Sequence, residues 1–233
     1  MAGIFKAYDV RGTYPEQIDE AMARRIGQAF QYLLADDPGP VVVSRDMRSH
    51  SKPLSEALID GLRIAGLDVV DIGLATTPMN YFAVGHLGAA GGIQVTASHN
   101  PARYNGLKFS LREARPVSGD DGLPLLEARV AAGDLPVAER RGKLEQADVF
   151  DDYRRHVLFF VERPDEAGTL KVVVDAANAM GSIYQPLLEQ LGIELVPLYF
   201  ELDGTFPNHE ANPLKMENLQ DLCKAVKKDK ADL

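Results

Sequence analysis

Short apolar runs alternate with helical patterns along most of the chain. The β-branched run at 41–43 predicts a buried strand, and the apolar spacing at 53–66 predicts the helix that follows it. Further strands are predicted at 67–72 and 92–96, with a helix at 78–87 between them. This alternation is typical of an α/β domain built on a parallel-rich sheet.

The second part of the chain repeats this alternation. Its predicted elements, in chain order, are a helix at 148–162, a strand at 171–175, a helix at 182–191, a strand at 193–198 and a helix at 216–228. Segment 65–70 echoes segment 191–196, because each has a glycine that ends a helix before a strand. Residues 231–233 resemble the start of another strand, so we expect the second α/β unit to be incomplete.

Residues 133–150 separate the two parts and are rich in charge, glycine and proline, which is typical of a solvated connection. A chain of 233 residues is long enough for two small domains. We therefore expect an α/β protein with two similar three-layer α/β/α domains, at 1–145 and 146–233. Both would have mixed, parallel-rich sheets, and the second would be truncated.

Composition and charge narrow the function classes. The formal net charge is −9 and the pI is about 5.1, which argues against a dedicated binder of nucleic acid or of anionic membranes. The single cysteine excludes an intrachain disulfide, and no apolar run approaches the length of a membrane span. The amino terminus also lacks the apolar region of a signal peptide. We expect a cytoplasmic protein that binds neither nucleic acid nor membrane.

One polar loop carries the candidate chemistry. The predicted strand at 92–96 leads into Ser98 and His99, and Lys108 follows a short distance along the chain. Ligands of α/β proteins bind at the carboxyl ends of strands, and a phosphate on Ser98 would bring about −1.5 to −2 of charge that needs cationic neighbours. Taken alone, an ordinary turn with a helix cap explains these residues too. A serine hydrolase is disfavoured, because no Gly-x-Ser-x-Gly elbow is present.

Four motifs resemble those of the α-D-phosphohexomutase superfamily and occur in that family's order. They are Phe-Lys-Ala-Tyr-Asp-Val-Arg-Gly at 5–12, Val-Val-Val-Ser-Arg-Asp-Met-Arg at 41–48, Thr-Ala-Ser-His-Asn-Pro with Tyr-Asn-Gly-Leu-Lys between 96 and 108, and Asp-Gly-Thr-Phe-Pro-Asn-His at 203–209. Ser44 stands where the family usually has glycine. The resemblance extends from residue 5 to about residue 230, and the superfamily includes phosphomannomutases, phosphoglucomutases and phosphoglucosamine mutases.

The resemblance implies a phosphosugar mutase in which Ser98 carries the phosphate. The serine would phosphorylate a hexose phosphate, and the bisphosphorylated sugar would return its other phosphate, which interconverts hexose 1-phosphate and hexose 6-phosphate. Catalytic roles are implied for Ser98, His99, Lys108 and Arg11, of which Arg11 and Lys108 would also bind substrate. The residues expected to shape or brace the serine loop are Asn100, Pro101, Tyr104, Asn105, Gly106, Arg45, Asp46 and Arg48.

The residues by themselves leave structural roles open. Arg11 could stabilise a turn beside Asp9, Lys108 could be a solvated lysine, and His99 could be a loop histidine that bonds to backbone. Asp175 ends a predicted strand, but helix packing against that strand explains it equally well. We expect the loop at 203–209 to have a structural or indirect role.

The resemblance also implies cofactors. Mg²⁺ would be held by the phosphate on Ser98 and by three aspartates of an Asp-Gly-Asp-x-Asp-Arg loop, and a glucose 1,6-bisphosphate-type activator would load the serine. This sequence contains neither that loop nor the family's sugar-binding and phosphate-binding loops. We therefore expect a fragment without turnover, whose open sheet edge favours self-association. The alternatives are a natural short homologue that binds phosphosugars or a partner without catalysis, and a phosphoglucosamine mutase.

Overall fold

The structure, a computed structural model, describes residues 3–34, 37–119, 122–162 and 169–233. The chain divides into two compact units, which are Met1–Ala97 with Arg103–Tyr153, and Ser98–Ala102 with Arg154–Leu233. The division at 145/146 expected from the sequence stays a prediction. No helix in the described ranges is long and apolar enough to cross a membrane.

The first unit is built on a six-stranded mixed sheet. Its strands are β1 (Val10–Thr13), β2 (Val41–Arg45), β3 (Val69–Leu74), β4 (Gly91–Val95), β5 (Tyr104–Leu111) and β6 (Leu144–Gln146). They lie in the order β1-β5-β4-β2-β3-β6. Strands β2, β3, β4 and β6 are parallel, while β5 runs antiparallel to both β4 and β1. This confirms the mixed, parallel-rich sheet expected from the sequence.

Helices cover this sheet and create the hydrophobic core. They are α1 (Glu20–Ala29), α2 (Gln31–Leu34), α3 (Ser51–Ile64), α4 (Thr77–His86) and α5 (Leu123–Ala132), and α6 (Phe150–Phe159) spans the point where the two units divide. Helices α1, α3 and α5 pack together, and α4 packs on β2 and β4. Val41, Val42 and Val43 are fully buried, which is why β2 appears in the sequence as a continuous apolar run.

The second unit contains a parallel strand pair and short helices. Its elements are β7 (Lys171–Asp175), α7 (Gln185–Gln190), β8 (Glu194–Leu198) and α8 (Gln220–Asp229), with 3₁₀ turns at Met180–Tyr184 and Met216–Leu219. The backbone N–H of Val173 donates to Leu233 at 2.9 Å, and the N–H of Asp232 donates to Lys171 at 2.8 Å. Residues 231–233 therefore pair with β7 on the side away from β8, as a strand start should.

Candidate functional site

Ser98 lies just beyond the carboxyl end of β4. Because β4 is parallel to β2, the chain leaves the sheet here at the edge where α/β proteins place their ligands. Ser98 has a φ of 53°, in the left-handed region that residues other than glycine seldom adopt. Such a backbone costs about 1–3 kcal/mol and persists only where neighbouring contacts enforce it.

A buried carboxylate fixes the chain on both sides of the Ser98 segment. Asp46, which follows β2, accepts hydrogen bonds from Thr96 Oγ1 at 2.7 Å and from Arg48 Nε at 3.2 Å. The Arg48 side chain is fully buried, and burial lowers its pKa although the charge of Asp46 opposes the shift. Arg48 Nη1 also donates to the carbonyl oxygen of Tyr104 at 3.2 Å. The end of β4 and the start of β5, which flank Ser98, are thus both hydrogen-bonded to the ion pair of Asp46 and Arg48.

Asn105 on β5 extends this network. Its side-chain amide donates to Ser51 Oγ at 2.9 Å and to His50 Nδ1 at 2.7 Å, while its Oδ1 accepts from the Gly106 N–H at 2.8 Å. The Ser51 hydroxyl in turn donates to the Asp46 carboxylate. The Asn105 amide donates in this contact, which fits the tautomer of His50 that carries its proton on Nε2.

Two cations share one carboxylate on the face of β1 and β5. The guanidinium of Arg11 donates to Asp9, and Lys108 Nζ lies 3.6 Å from Asp9 Oδ2. The Asp9 side chain is 7% exposed, whereas those of Arg11 and Lys108 are 28% and 24% exposed. Both cations are therefore held in place and remain accessible.

Ser98 and His99 line a cavity of about 500 Å³ in the second unit. Its wall also includes Asp175 at the end of β7, Met180 and His209. The cavity has the size of a small-molecule site, and its lining mixes apolar and polar groups.

Asp175 and His209 form a hydrogen-bonded pair in that wall. His209 Nε2 lies 3.0 Å from Asp175 Oδ2, and His209 Nδ1 lies 3.0 Å from the carbonyl oxygen of Glu210. Both partners are acceptors, so the protonated ring is the form that can donate a hydrogen bond to each of them. Burial lowers the pKa of His209, but the hydrogen bonds to Glu210 and Asp175 and the charge of Asp175 raise it above the ordinary 6.5.

This pair gives the second unit a measurable pH dependence. Because the folded pKa of His209 is raised, its stabilising contribution is complete below the unfolded value of about 6.5 and is lost as the pH rises through the folded pKa. In a ¹H–¹³C NMR titration, His209 is expected to titrate above 6.5, and Asp175→Asn is expected to lower that midpoint. The exposed carboxylate Glu217 provides the control, since Glu217→Gln should leave it unchanged. If Asp175→Asn left the titration midpoint of His209 unchanged, the result would contradict the ion pair.

The other residues predicted to shape or brace the serine loop lie in three different segments of the chain. Arg45 is the last residue of β2, and its Nη1 donates to the carbonyl oxygen of Asp46 at 3.5 Å rather than to the carboxylate. Asn100 and Pro101 lie in the segment that groups with Ser98. Tyr104, Asn105 and Gly106 form the start of β5 and not a loop. The effect of these residues on the serine segment stays a prediction.

Three residues of these networks were not expected from the sequence: His50, Ser51 and Thr96. Asp9 was expected beside Arg11 in a turn, and residues two apart on a strand share a face. The sequence contains no local signal for Thr96, because its hydrogen bond to Asp46 joins positions 50 residues apart and depends on β2 lying beside β4.

The described residues do not match the Mg²⁺ site that the resemblance implies. Within the described ranges, no group of three or more His, Cys, Asp or Glu side chains is arranged to hold a metal ion. Ser98 would supply one oxygen through its phosphate, whereas Mg²⁺ in such sites also takes carboxylate ligands. We assign no step to the metal.

Comparison with known proteins decides the family. Residues 2–135 match the family model of the phosphoglucomutase/phosphomannomutase α/β/α domain I, and residues 151–233 match that of domain II. The chain belongs to the phosphoglucomutase/phosphomannomutase family. It is 44% identical over 229 residues to a protein named "Phosphohexose mutases" from Xanthomonas campestris pv. campestris, which covers 98% of this chain and 50% of that relative.

Further family members agree in sequence and in fold. A phosphomannomutase from Escherichia coli is 41% identical over 237 residues, which covers 98% of this chain and 52% of the relative. A crystal structure of a phosphoglucomutase/phosphomannomutase family protein from Burkholderia thailandensis superposes with a TM-score of 0.86 at 38% identity, over 98% of this chain and 50% of that one. The chain spans about half the length of the curated relatives it matches. These findings confirm the superfamily and the α/β/α fold inferred from the motifs.

Proposed function

We propose that this chain supplies the phosphoserine part of a phosphohexomutase that interconverts hexose 1-phosphate and hexose 6-phosphate. The observation that carries the proposal is Ser98 itself. It lies in the family's serine motif, beyond the carboxyl end of β4, with a left-handed backbone, and it lines a cavity of about 500 Å³. These features suit a hydroxyl that must meet a sugar phosphate.

The proposed chemistry is two phosphoryl transfers. The bond between phosphorus and Ser98 Oγ breaks as a bond to a sugar hydroxyl oxygen forms, and the bisphosphorylated sugar later returns its other phosphate to Oγ. Lys108 is assigned the proton transfer: as a neutral amine it takes the proton of the attacking sugar hydroxyl, and the ammonium so formed donates a proton to the leaving Ser98 Oγ. The second transfer reverses these proton steps. Arg11 is assigned contact with a phosphate, because a guanidinium binds oxyanions through two N–H groups. His99 would shape the serine segment.

The substrate class follows from the family names. Relatives are named phosphomannomutase and phosphohexose mutase, which supports glucose and mannose phosphates, with glucosamine phosphate as the alternative sugar. Mg²⁺ and a glucose 1,6-bisphosphate-type activator are part of the proposal through the family resemblance alone. We also propose a cytoplasmic location.

Self-association is a further proposal. Leu214 and Met216 are 85% and 73% exposed, and apolar side chains of that size on a surface favour contact between copies. Light scattering across a concentration series is expected to show a mass that rises above that of the monomer. A monomer mass at every concentration would contradict self-association.

A hybrid enzyme tests the proposed reaction. This chain would replace the matching half of the Xanthomonas relative, with the unmodified relative as positive control. The hybrid is expected to interconvert glucose 1-phosphate and glucose 6-phosphate, and Ser98→Ala is expected to lower the rate by at least about 10³-fold, since the group that carries the phosphate is gone. Ser55→Ala, at a serine buried in α3, should leave the rate unchanged. A Ser98→Ala hybrid as active as the parent would refute the proposal.

A further inference from the structure

The strand register places three charged side chains together. In the antiparallel pair of β1 and β5, Val10 lies opposite Leu107 and Arg11 lies opposite Gly106. Asp9 directly precedes β1, and its carboxylate accepts a hydrogen bond from the guanidinium of Arg11 and lies 3.6 Å from Lys108 Nζ.

The backbones of β1 and β5 approach each other closely where Arg11 lies opposite Gly106. Gly106 has no side chain, and a Cβ added there would lie 2.2 Å from the carbonyl oxygen of Val10. The backbone of β1 therefore occupies the position that a side chain at residue 106 would take. Its Nε is buried and has no hydrogen-bond partner within the part of the chain that the structure describes. The contact to Asp9 is what orients the group.

Hydrogen bonds in the turn before β1 fix the backbone of Asp9. The Lys6 N–H donates to the carbonyl oxygen of Asp9 at 2.8 Å, and the Arg11 N–H donates to Ile4 at 2.7 Å. Phe5 and Val10 form an isolated antiparallel bridge around this turn. The carboxylate thus has a fixed backbone, while both cations are long side chains that would otherwise lose much rotamer freedom on binding an anion.

We propose that Asp9 is a positioning residue that holds Arg11 and Lys108 in their binding arrangement before phosphate arrives. This rests on the proposed function, in which both cations meet phosphate. An acid beside a phosphate site repels the ligand, so simple electrostatics says that its removal strengthens binding. Preorganisation predicts weaker binding without Asp9, because the freed side chains of Arg11 and Lys108 must be ordered when phosphate binds. Whether phosphate affinity falls or rises on removal of Asp9 therefore decides between preorganisation and repulsion.

The first test is ligand-independent. In ¹⁵N NMR of the 233-residue chain, Arg11 is expected to show slow rotation of its guanidinium, which Asp9→Asn abolishes and Asp9→Glu retains. Asp37→Asn is the matched control, because it removes the same charge from the Asp37–Arg112 pair. Backbone amide shifts of β2 and β3 that stay unchanged show that the fold is intact. A guanidinium equally ordered in Asp9→Asn would overturn the proposal.

The second test uses inorganic phosphate as the probe, with NMR shift titrations at 0.1 M salt. Asp9→Asn is expected to bind phosphate about tenfold more weakly, since ordering one lysine or arginine costs up to about the free energy of a tenfold change. Asp9→Glu should recover most of the loss. Equal or tighter binding by Asp9→Asn would overturn the positioning role. If the parent chain binds no phosphate, the proposed contact of Arg11 and Lys108 with phosphate is wrong, whereas the role of Ser98 is tested separately by the hybrid enzyme. The guanidinium measurement then shows whether Asp9 orders Arg11.

Discussion

Replacing Asp46 with alanine is expected to lower the free energy of unfolding of the first unit by about 3–5 kcal/mol. The Arg48 side chain is fully buried, so the variant leaves a guanidinium without its counter-charge in the protein interior. Thr96 loses its acceptor at the same time. Hydrogen exchange at the buried amides of β2 and β4 reports this free energy for the unit that contains them.

The control for this variant is an exposed ion pair in the same unit. Lys52 and Glu56 form an i,i+4 pair on α3 with side chains 66% and 61% exposed. Glu56→Ala is expected to change the free energy of unfolding by no more than about 0.5 kcal/mol, because solvent screens exposed pairs. A loss below about 1 kcal/mol for Asp46→Ala would show that the buried network does not brace the serine segment as described.

The substitution Gly61→Ala is expected to cost about 3 kcal/mol, the upper end for overpacking a core. A Cβ on Gly61 would lie 2.0 Å from the carbonyl oxygen of Arg24, and a Cβ on Gly27 would lie 2.4 Å from that of Leu58. Helices α1 and α3 therefore touch through their backbones. Neither α1 nor α3 can move apart from the other without displacing the core residues packed beneath it. The same exchange measurement would record the loss.

Gly85 near the end of α4 provides a matched glycine. No atom lies within 4 Å of a Cβ built there, and the position is exposed. Gly85→Ala is expected to stabilise the first unit by about 0.4–1 kcal/mol, because alanine loses less backbone entropy than glycine in a helix. If both substitutions changed stability in the same direction, close backbone contact would not explain the role of Gly61.

Strands with a continuous β-branched sequence were the elements most readily predicted. The run at 41–43 lies in β2, which is buried on both faces, whereas the run at 171–175 coincides with β7, in which Val173 alone is buried. Strand β6 (Leu144–Gln146) was missed, since all three of its residues are exposed and their pattern carries no burial signal. The predicted strand at 67–72 is shifted by two residues, because Ala65 and Gly66 form the turn after α3 and the Leu67 N–H still donates to Leu62 at 3.1 Å.

Some missed helices did carry local signals. Asp19 caps α1, and its side chain accepts from the Met22 N–H at 2.7 Å, which is the usual function of aspartate at that position. Gly133 ends α5 with a left-handed φ of 70°. The helix predicted at 182–191 begins instead as a 3₁₀ turn, and α7 starts only at Gln185, beside Pro186 in its first turn.

The candidate site was predictable as motifs but not as contacts. Ser98, Lys108 and Arg11 were found because each lies in a recognisable segment. The pairing of Asp175 with His209 was not, because the residues are 34 positions apart and meet only through the course of the loop after β8. The loop at 203–209 was expected to have a structural or indirect role, which stays a prediction, and its last residue lines the cavity with Ser98.

Phosphopeptide mapping of the active hybrid tests the central claim most directly. After incubation with glucose 1,6-bisphosphate and Mg²⁺, the peptide that contains Ser98 should carry a single phosphate, and Ser98→Ala should carry none there. Addition of excess glucose 6-phosphate should exchange a labelled phosphate out of that peptide. A hybrid that turns over while Ser98 stays unmodified, or that carries its exchangeable phosphate on another residue, would contradict the assignment of Ser98 as the phosphate carrier.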